Sequence, residues 1–128
     1  MSNTEMQRIL YVEDEPDIQA VAKLALEQVG RFTLEVCSSG QEALDKAEKF
    51  APHLMLLDVM MPEMDGPTTL KKLRGIAGLE AIPAIFMTAR VQPHELQEYM
   101  DMGVADVIAK PFDPMMLSNQ IRDIWERL

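Results

Sequence analysis

Five short apolar runs, each followed by a stretch of amphipathic periodicity, constrain this chain more than any other feature in it. The spacing predicts strands at Arg8–Val12, Phe32–Cys37, Leu54–Leu57, Pro83–Met87 and Asp106–Ala109. Between them it predicts a helix over Asp17–Val29, where Ile18, Val21, Ala22, Ala25 and Val29 share a face ahead of Gly30. A second helix runs from Ser39, which forms a capping box with Glu42, to Phe50, with Ala43, Leu44, Ala47 and Phe50 inward. Asp58–Gly66, holding Pro62 and the Asp65-Gly66 pair, reads as a loop. Further helices are expected around Thr68–Arg74, with Leu70 and Leu73 inward, and over Pro93–Met102, stopped by Gly103. Asp113 is expected to cap the last helix, whose stripe is Leu117, Ile121, Ile124, Trp125 and Leu128. The third strand is apolar throughout, as a strand covered on both faces would be. Strand followed by helix, five times over, implies an α/β fold: a parallel sheet with helices on both faces. The alternative, a fragment of a larger α/β domain, has against it a pattern that starts and ends cleanly.

With 128 residues, 48% of them hydrophobic, the chain has material for one domain. That domain is expected over residues 8–128, behind a polar tail at residues 1–7. Twelve basic residues against 21 acidic ones give a formal net charge of −9, which argues against direct nucleic-acid binding and leaves room for a cation or a basic partner. The single cysteine, Cys37, cannot form an internal disulfide, so a cytoplasmic address fits best. No apolar run approaches the roughly 20 residues of a membrane span, and the stretch ahead of the first strand lacks a signal peptide's apolar run. The 11 methionines are scattered, which reads as core filling rather than as a binding groove.

Ligands of open parallel sheets bind outside the carboxyl ends of the strands. The first strand is followed there by Glu13, Asp14 and Glu15, the third by Asp58, the fourth by Thr88 and Ala89, and the fifth by Lys110 and Pro111. Each piece alone has a plain reading as a solvated loop acid, a helix cap or a surface lysine. Together they are harder to explain that way. Two carboxylates about 4 Å apart repel by about 4 kcal/mol at an effective dielectric of 20, so something positive must offset the cluster. A hard divalent cation suits all-oxygen ligands, magnesium in particular, and Lys110 is a second cation, able to meet a phosphate as a point charge. A carboxylate beside a metal and a lysine can attack phosphorus to give an aspartyl phosphate. His53, ahead of the third strand, and His94, near a helix start, read as surface residues. Cys37 reads as buried and inert.

The blocks Glu13-Asp14-Glu15-Pro16, Leu56-Leu57-Asp58-Val59-Met60-Met61-Pro62 with Asp65-Gly66, Met87-Thr88-Ala89 and Lys110-Pro111-Phe112 resemble the signature of bacterial response-regulator receiver domains. The resemblance spans residues 8–128, with all four blocks in the family's order. It implies a flavodoxin-like, doubly wound sheet of five parallel strands in the order 2-1-3-4-5 with five helices. It also implies a phosphoacceptor at Asp58, a direct Mg2+ ligand at Asp14 with Glu13 acting through water, and a third ligand in the Met60 carbonyl. Thr88 and the Ala89 N–H would then hold the phosphoryl group, and Lys110 would pair with that group or with the acceptor carboxylate. A cis bond before Pro111 is expected on the same ground. The donor would be a phosphohistidine on a sensor histidine kinase or a histidine phosphotransfer protein, and a phosphorylation-dependent homodimer is compatible with the same reading. The chain would be a signalling switch rather than a turnover enzyme.

One position departs from that pattern. Three residues before the lysine the family commonly carries Tyr or Phe, and here stands Val107, which puts the usual readout in doubt. Tyr99, on the preceding helix, reads as a half-buried helix residue. Three other readings remain. A phosphatase of the haloacid-dehalogenase kind needs an acid two residues after its nucleophile, where this chain has Met60. An FMN carrier needs a phosphate-cradling loop after the first strand, where this chain has three acids. A degenerate receiver serving only as a binding module would not need the complete set of acids, Thr88 and Lys110.

Overall fold

The computed structural model describes residues 6–128. Its elements run β1 (Arg8–Val12), α1 (Pro16–Lys23), a π-helical continuation over Leu24–Val29, β2 (Thr33–Cys37), α2 (Gly40–Phe50), β3 (Leu54–Asp58), α3 (Gly66–Leu73), β4 (Ala84–Thr88), α4 (Pro93–Asp101), β5 (Asp106–Ala109) and α5 (Leu117–Glu126). The strands form one parallel sheet in the order β2-β1-β3-β4-β5, the doubly wound flavodoxin-like arrangement. Register aligns Val12 with Leu57, Asp58 with Met87 and Thr88 with Ala109, so the chemistry-bearing ends of four strands finish level along one edge.

Alternation along the strands divides the core. Leu10, Val12, Met55, Leu57, Ala84 and Phe86 pack under Ala43 and Ala47 of α2, Leu70 and Leu73 of α3 and Tyr99 of α4. Ile9, Tyr11, Leu54, Leu56, Ile85, Met87 and Ile108 pack under Ala22, Leu26, Leu117, Ile121 and Ile124 on the other side. Every residue of β3 and β4 is buried. A fully buried Leu or Ile contributes about 1.5–3 kcal/mol, so this double layer is the main stabilising term.

The structure departs from the sequence reading at identifiable points. The first helix is not α-helical to its end. Across Leu24–Val29 it is π-helical, and its i→i+5 bond from Gly30 N to the Ala25 carbonyl, at 3.1 Å, widens the turn. The wider turn rotates Leu26 inward and leaves Val29 53% exposed, while Val21, at 43%, borders a surface groove. Gly30 is more than a stop, since a Cβ there would collide with Ser118, whose hydroxyl donates to the Ala25 carbonyl at 2.8 Å. Asp113 caps a turn rather than α5 itself. Its Oδ1 accepts from Met115 N and its carbonyl from Met116 and Leu117, and the helix starts only at Leu117. Leu128 lies beyond that helix and is exposed. Core filling holds for Met6, Met55, Met61 and Met87, but Met60, Met100, Met102, Met115 and Met116 are exposed. Within the stretch expected as a tail, residues 1–5 lie outside the described residues, Met6 is buried in the core, and the Gln7 carbonyl accepts from Thr33 N.

Candidate functional site

β1 and β3 are neighbours, so their carboxyl ends bring Glu13 and Asp14 against Asp58. One carboxylate oxygen from each of the three lies within 4.8 Å of the others. Glu13 is fully buried and Asp58 is 3% exposed. β5 delivers Lys110 to the same place, where its Nζ donates to Glu13 Oε1 at 2.7 Å and to Asp58 Oδ1 at 2.9 Å. Lys110 therefore has two carboxylate partners, Glu13 as well as Asp58. The Lys110–Pro111 bond is cis.

The balance of charge here follows from burial. Desolvation pushes the Glu13 carboxyl up to about 7 and the charge of Asp58 adds to the push, while the hydrogen bond from Lys110 holds it back. Burial works against the Lys110 ammonium, but its hydrogen bonds to Glu13 and Asp58 outweigh that and raise its pKa. Asp14 is half-buried, and its Oδ1 is enclosed without a hydrogen-bond partner among the described residues. A buried, unpartnered carboxylate oxygen is costly unless a cation meets it. The donor set is all oxygen and excludes nitrogen and sulfur, as a hard divalent cation requires. The Met60 carbonyl is taken by no backbone hydrogen bond among the described residues, while its side chain faces outward.

Thr88 closes β4 and is 1% exposed, with its hydroxyl accepting from Arg90 N at 3.0 Å. Ala89, next along, is exposed at the mouth. Val107 pairs with Phe86 across the sheet and packs against the α2–α4 side of the core. Tyr99 is more buried than its helix position suggested, at 8% exposed, and meets the edge of Phe86 with ring centroids 5.6 Å apart. His94 is exposed, as expected, and Cys37 is buried.

Further residues shape the site. Gly66, marked in the sequence as part of a loop, also presses on Asp58: its N–H donates to the Val59 carbonyl at 2.9 Å, and a Cβ there would strike the Asp58 carbonyl oxygen. Gln19 of α1 reaches back to the Glu13 carbonyl and to Ser38 Oγ, tying α1 to the loops after β1 and β2. Tyr11, fully buried two residues before Glu13, has a hydroxyl with no partner among the described residues. Gln19 and Tyr11 carried no signal of their own, because their roles depend on partners scattered along the chain.

Comparison with known proteins agrees with this geometry. The pattern of the response regulator receiver domain family matches residues 9–122. The chain is 33% identical over 119 residues to the response regulator Rre1 of Synechocystis sp., covering 93% of this chain and 52% of that protein. It is also 33% identical over 121 residues to the alkaline phosphatase synthesis transcriptional regulatory protein PhoP of Bacillus subtilis, covering 94% of this chain and 49% of that one. It thus spans about half the length of these two relatives. Among solved structures, the chemotaxis protein CheY4 of Vibrio cholerae superposes with a TM-score of 0.85 at 28% identity, over 94% of this chain and 99% of that one. A response regulator of Desulfuromonas acetoxidans gives 0.84 at 31%, over 95% and 98%. A sheet in the order 2-1-3-4-5, an acid cluster bridged by Lys110 and a family match over nearly the whole chain lead to one conclusion: the chain belongs to the response regulator receiver domains of two-component systems.

Proposed function

We propose that this domain takes a phosphoryl group from a phosphohistidine onto Asp58, and that residues 8–128 form the receiver unit that does so in the cytoplasm. The observation that carries the reading is the buried pair of carboxylates, Glu13 and Asp58, held 2.7 and 2.9 Å from one ammonium beside the unpartnered oxygen of Asp14. A carboxylate oxygen of Asp58 attacks the phosphorus, and the phosphorus–nitrogen bond breaks with its electron pair returning to the donor imidazole. Lys110 transfers its hydrogen bond from Asp58 Oδ1 to a phosphoryl oxygen. The Thr88 hydroxyl turns from Arg90 N to donate to the same group, beside the Ala89 N–H. Such charge-assisted bonds are roughly twice as strong as neutral ones. Asp14, Asp58 and the Met60 carbonyl, with Glu13 behind them, would hold magnesium, which would supply the positive charge that phosphoryl transfer needs.

The donor is a sensor histidine kinase or a histidine phosphotransfer protein. An apolar depression of about 440 Å³, lined by Ile18, Val21, Ala89, Lys110, Pro111 and Phe112, opens beside Lys110 where a donor helix can lie. The domain catalyses only its own phosphorylation and dephosphorylation, because Met60 has no proton to give a leaving group. Incubation with acetyl phosphate and magnesium is expected to add one phosphoryl mass, labile to hydroxylamine, and Asp58→Asn is expected to abolish it. A folded Asp58→Asn protein that still gains the label would overturn the assignment, and an unlabelled wild type would mark a receiver used only for binding.

A further inference from the structure

At the opposite edge of the sheet, His53 does something unrelated to phosphorylation. It enters β3 from a turn whose preceding residue, Ala51, has φ 53°. Its Nδ1 accepts from two consecutive backbone groups, Gln7 N and Arg8 N, each at 3.0 Å. The His53 backbone N–H donates to the Arg8 carbonyl at 2.9 Å. Three hydrogen bonds therefore fix the point where the chain enters β1, and two of them converge on a single imidazole lone pair. That nitrogen cannot carry a proton while both bonds exist, so the ring is the neutral tautomer with hydrogen on Nε2. Adding a proton converts Nδ1 from an acceptor facing two donors into a third donor facing them.

The geometry points to His53 as a proton-sensitive clasp: protonation at Nδ1 opens the entry to β1 and releases Met6 and Gln7, drawing Met6 out of the core. Met6 is 4% exposed, packed with the α1/α5 side of the core, so release exposes apolar surface. Around the depression of about 330 Å³ at His53, the charged side chains among the described residues are Arg8 of β1 and Glu48 of α2. The segment between α3 and β4 contributes only Ala77, Gly78, Leu79 and Ile82. Burial and the neighbouring Arg8 guanidinium both hold the imidazole below its usual range. The folded state binds its proton less readily than the unfolded chain, so the clasp's stability is complete above about pH 6.5 and is lost as pH falls through the folded value.

An NMR pH titration of the wild-type protein tests this directly, with exposed His94 as the internal control. The expected result is an Nε2-protonated His53 at neutral pH, titrating below the ordinary imidazole range. The amide protons of Gln7 and Arg8 should move upfield with the same midpoint. In His53→Gln, whose side-chain oxygen can accept but not titrate, that coupled step disappears while both amides stay downfield. An Nδ1-protonated ring at neutral pH overturns the proposal, as do Gln7 and Arg8 amides indifferent to the titration. Since the readout is at residues 7 and 8, labelling of Asp58 succeeds or fails independently of it.

Discussion

Lys110 holds two buried carboxylates apart from each other's repulsion, and its removal leaves both uncompensated. Breaking a buried ion pair from one side is destabilising by about 3–5 kcal/mol. Lys110→Ala is therefore expected to melt well below the wild type in metal-free buffer and to recover much of the difference in millimolar magnesium, without recovering the phosphotransfer rate. Equal melting temperatures with and without magnesium would contradict the shared role of the two cations. Tyr11 offers the reverse case. Its phenol lies enclosed with no partner, and burial together with the nearby acids raises its pKa. An unsatisfied buried hydroxyl forfeits about 1–3 kcal/mol, so Tyr11→Phe should raise the urea midpoint or leave it unchanged. A clear fall would show that the hydroxyl has a bound partner. At this scale the sequence showed which residues matter at the strand ends, because charge after an apolar run is visible. It did not show the roles of His53 or Gln19, which depend on residues brought near by folding.

At the scale of elements, the link from Thr88 to α4 needs an account without an aromatic gate. Valine is stiff about its first torsion and too short to swing from solvent to core, and Val107 packs beside Phe86 in any case. Tyr99 meets the same Phe86 from α4. A shift of Thr88 toward a phosphoryl group thus bears on Arg90 N and, through the adjoining loop, on α4, biasing an equilibrium already present. Beryllofluoride should change amide shifts through residues 88–93 and along α4. Changes limited to the surroundings of Asp58 would remove α4 from the response, and a rotamer change at Val107 would refute its stiffness. Legibility followed the same physics here. Strands bounded by apolar runs were readable to within a residue or so, because burial on both faces leaves little choice of residue. The phase of the first helix was not, since the π-helical stretch over Leu24–Val29 exchanges Leu26 for Val29 and propensity does not register it.

The whole molecule carries a net charge of −9 and places three of its acids within 4.8 Å of one another. Magnesium should therefore stabilise the fold before any phosphate is present. A ligand at 100 times its dissociation constant adds about 2.7 kcal/mol. Thermal melts across a magnesium series should rise for the wild type and flatten for Asp14→Ala; an indifferent wild type would rule out a metal site. The fold class was legible because five alternations allow few topologies, whereas the strand order came through the family resemblance.

Lys110 lies 97 residues from Glu13 and 52 from Asp58 along the chain. Contacts of such separation form late, after the loop-closure entropy of the intervening chain has been met. On the proposed function, Asp58 would therefore become a competent acceptor only once β5 has docked. A chain in which β5 is still unpaired can present Asp58 but not its ammonium, so a phosphohistidine donor would meet either a folded receiver or a poor substrate.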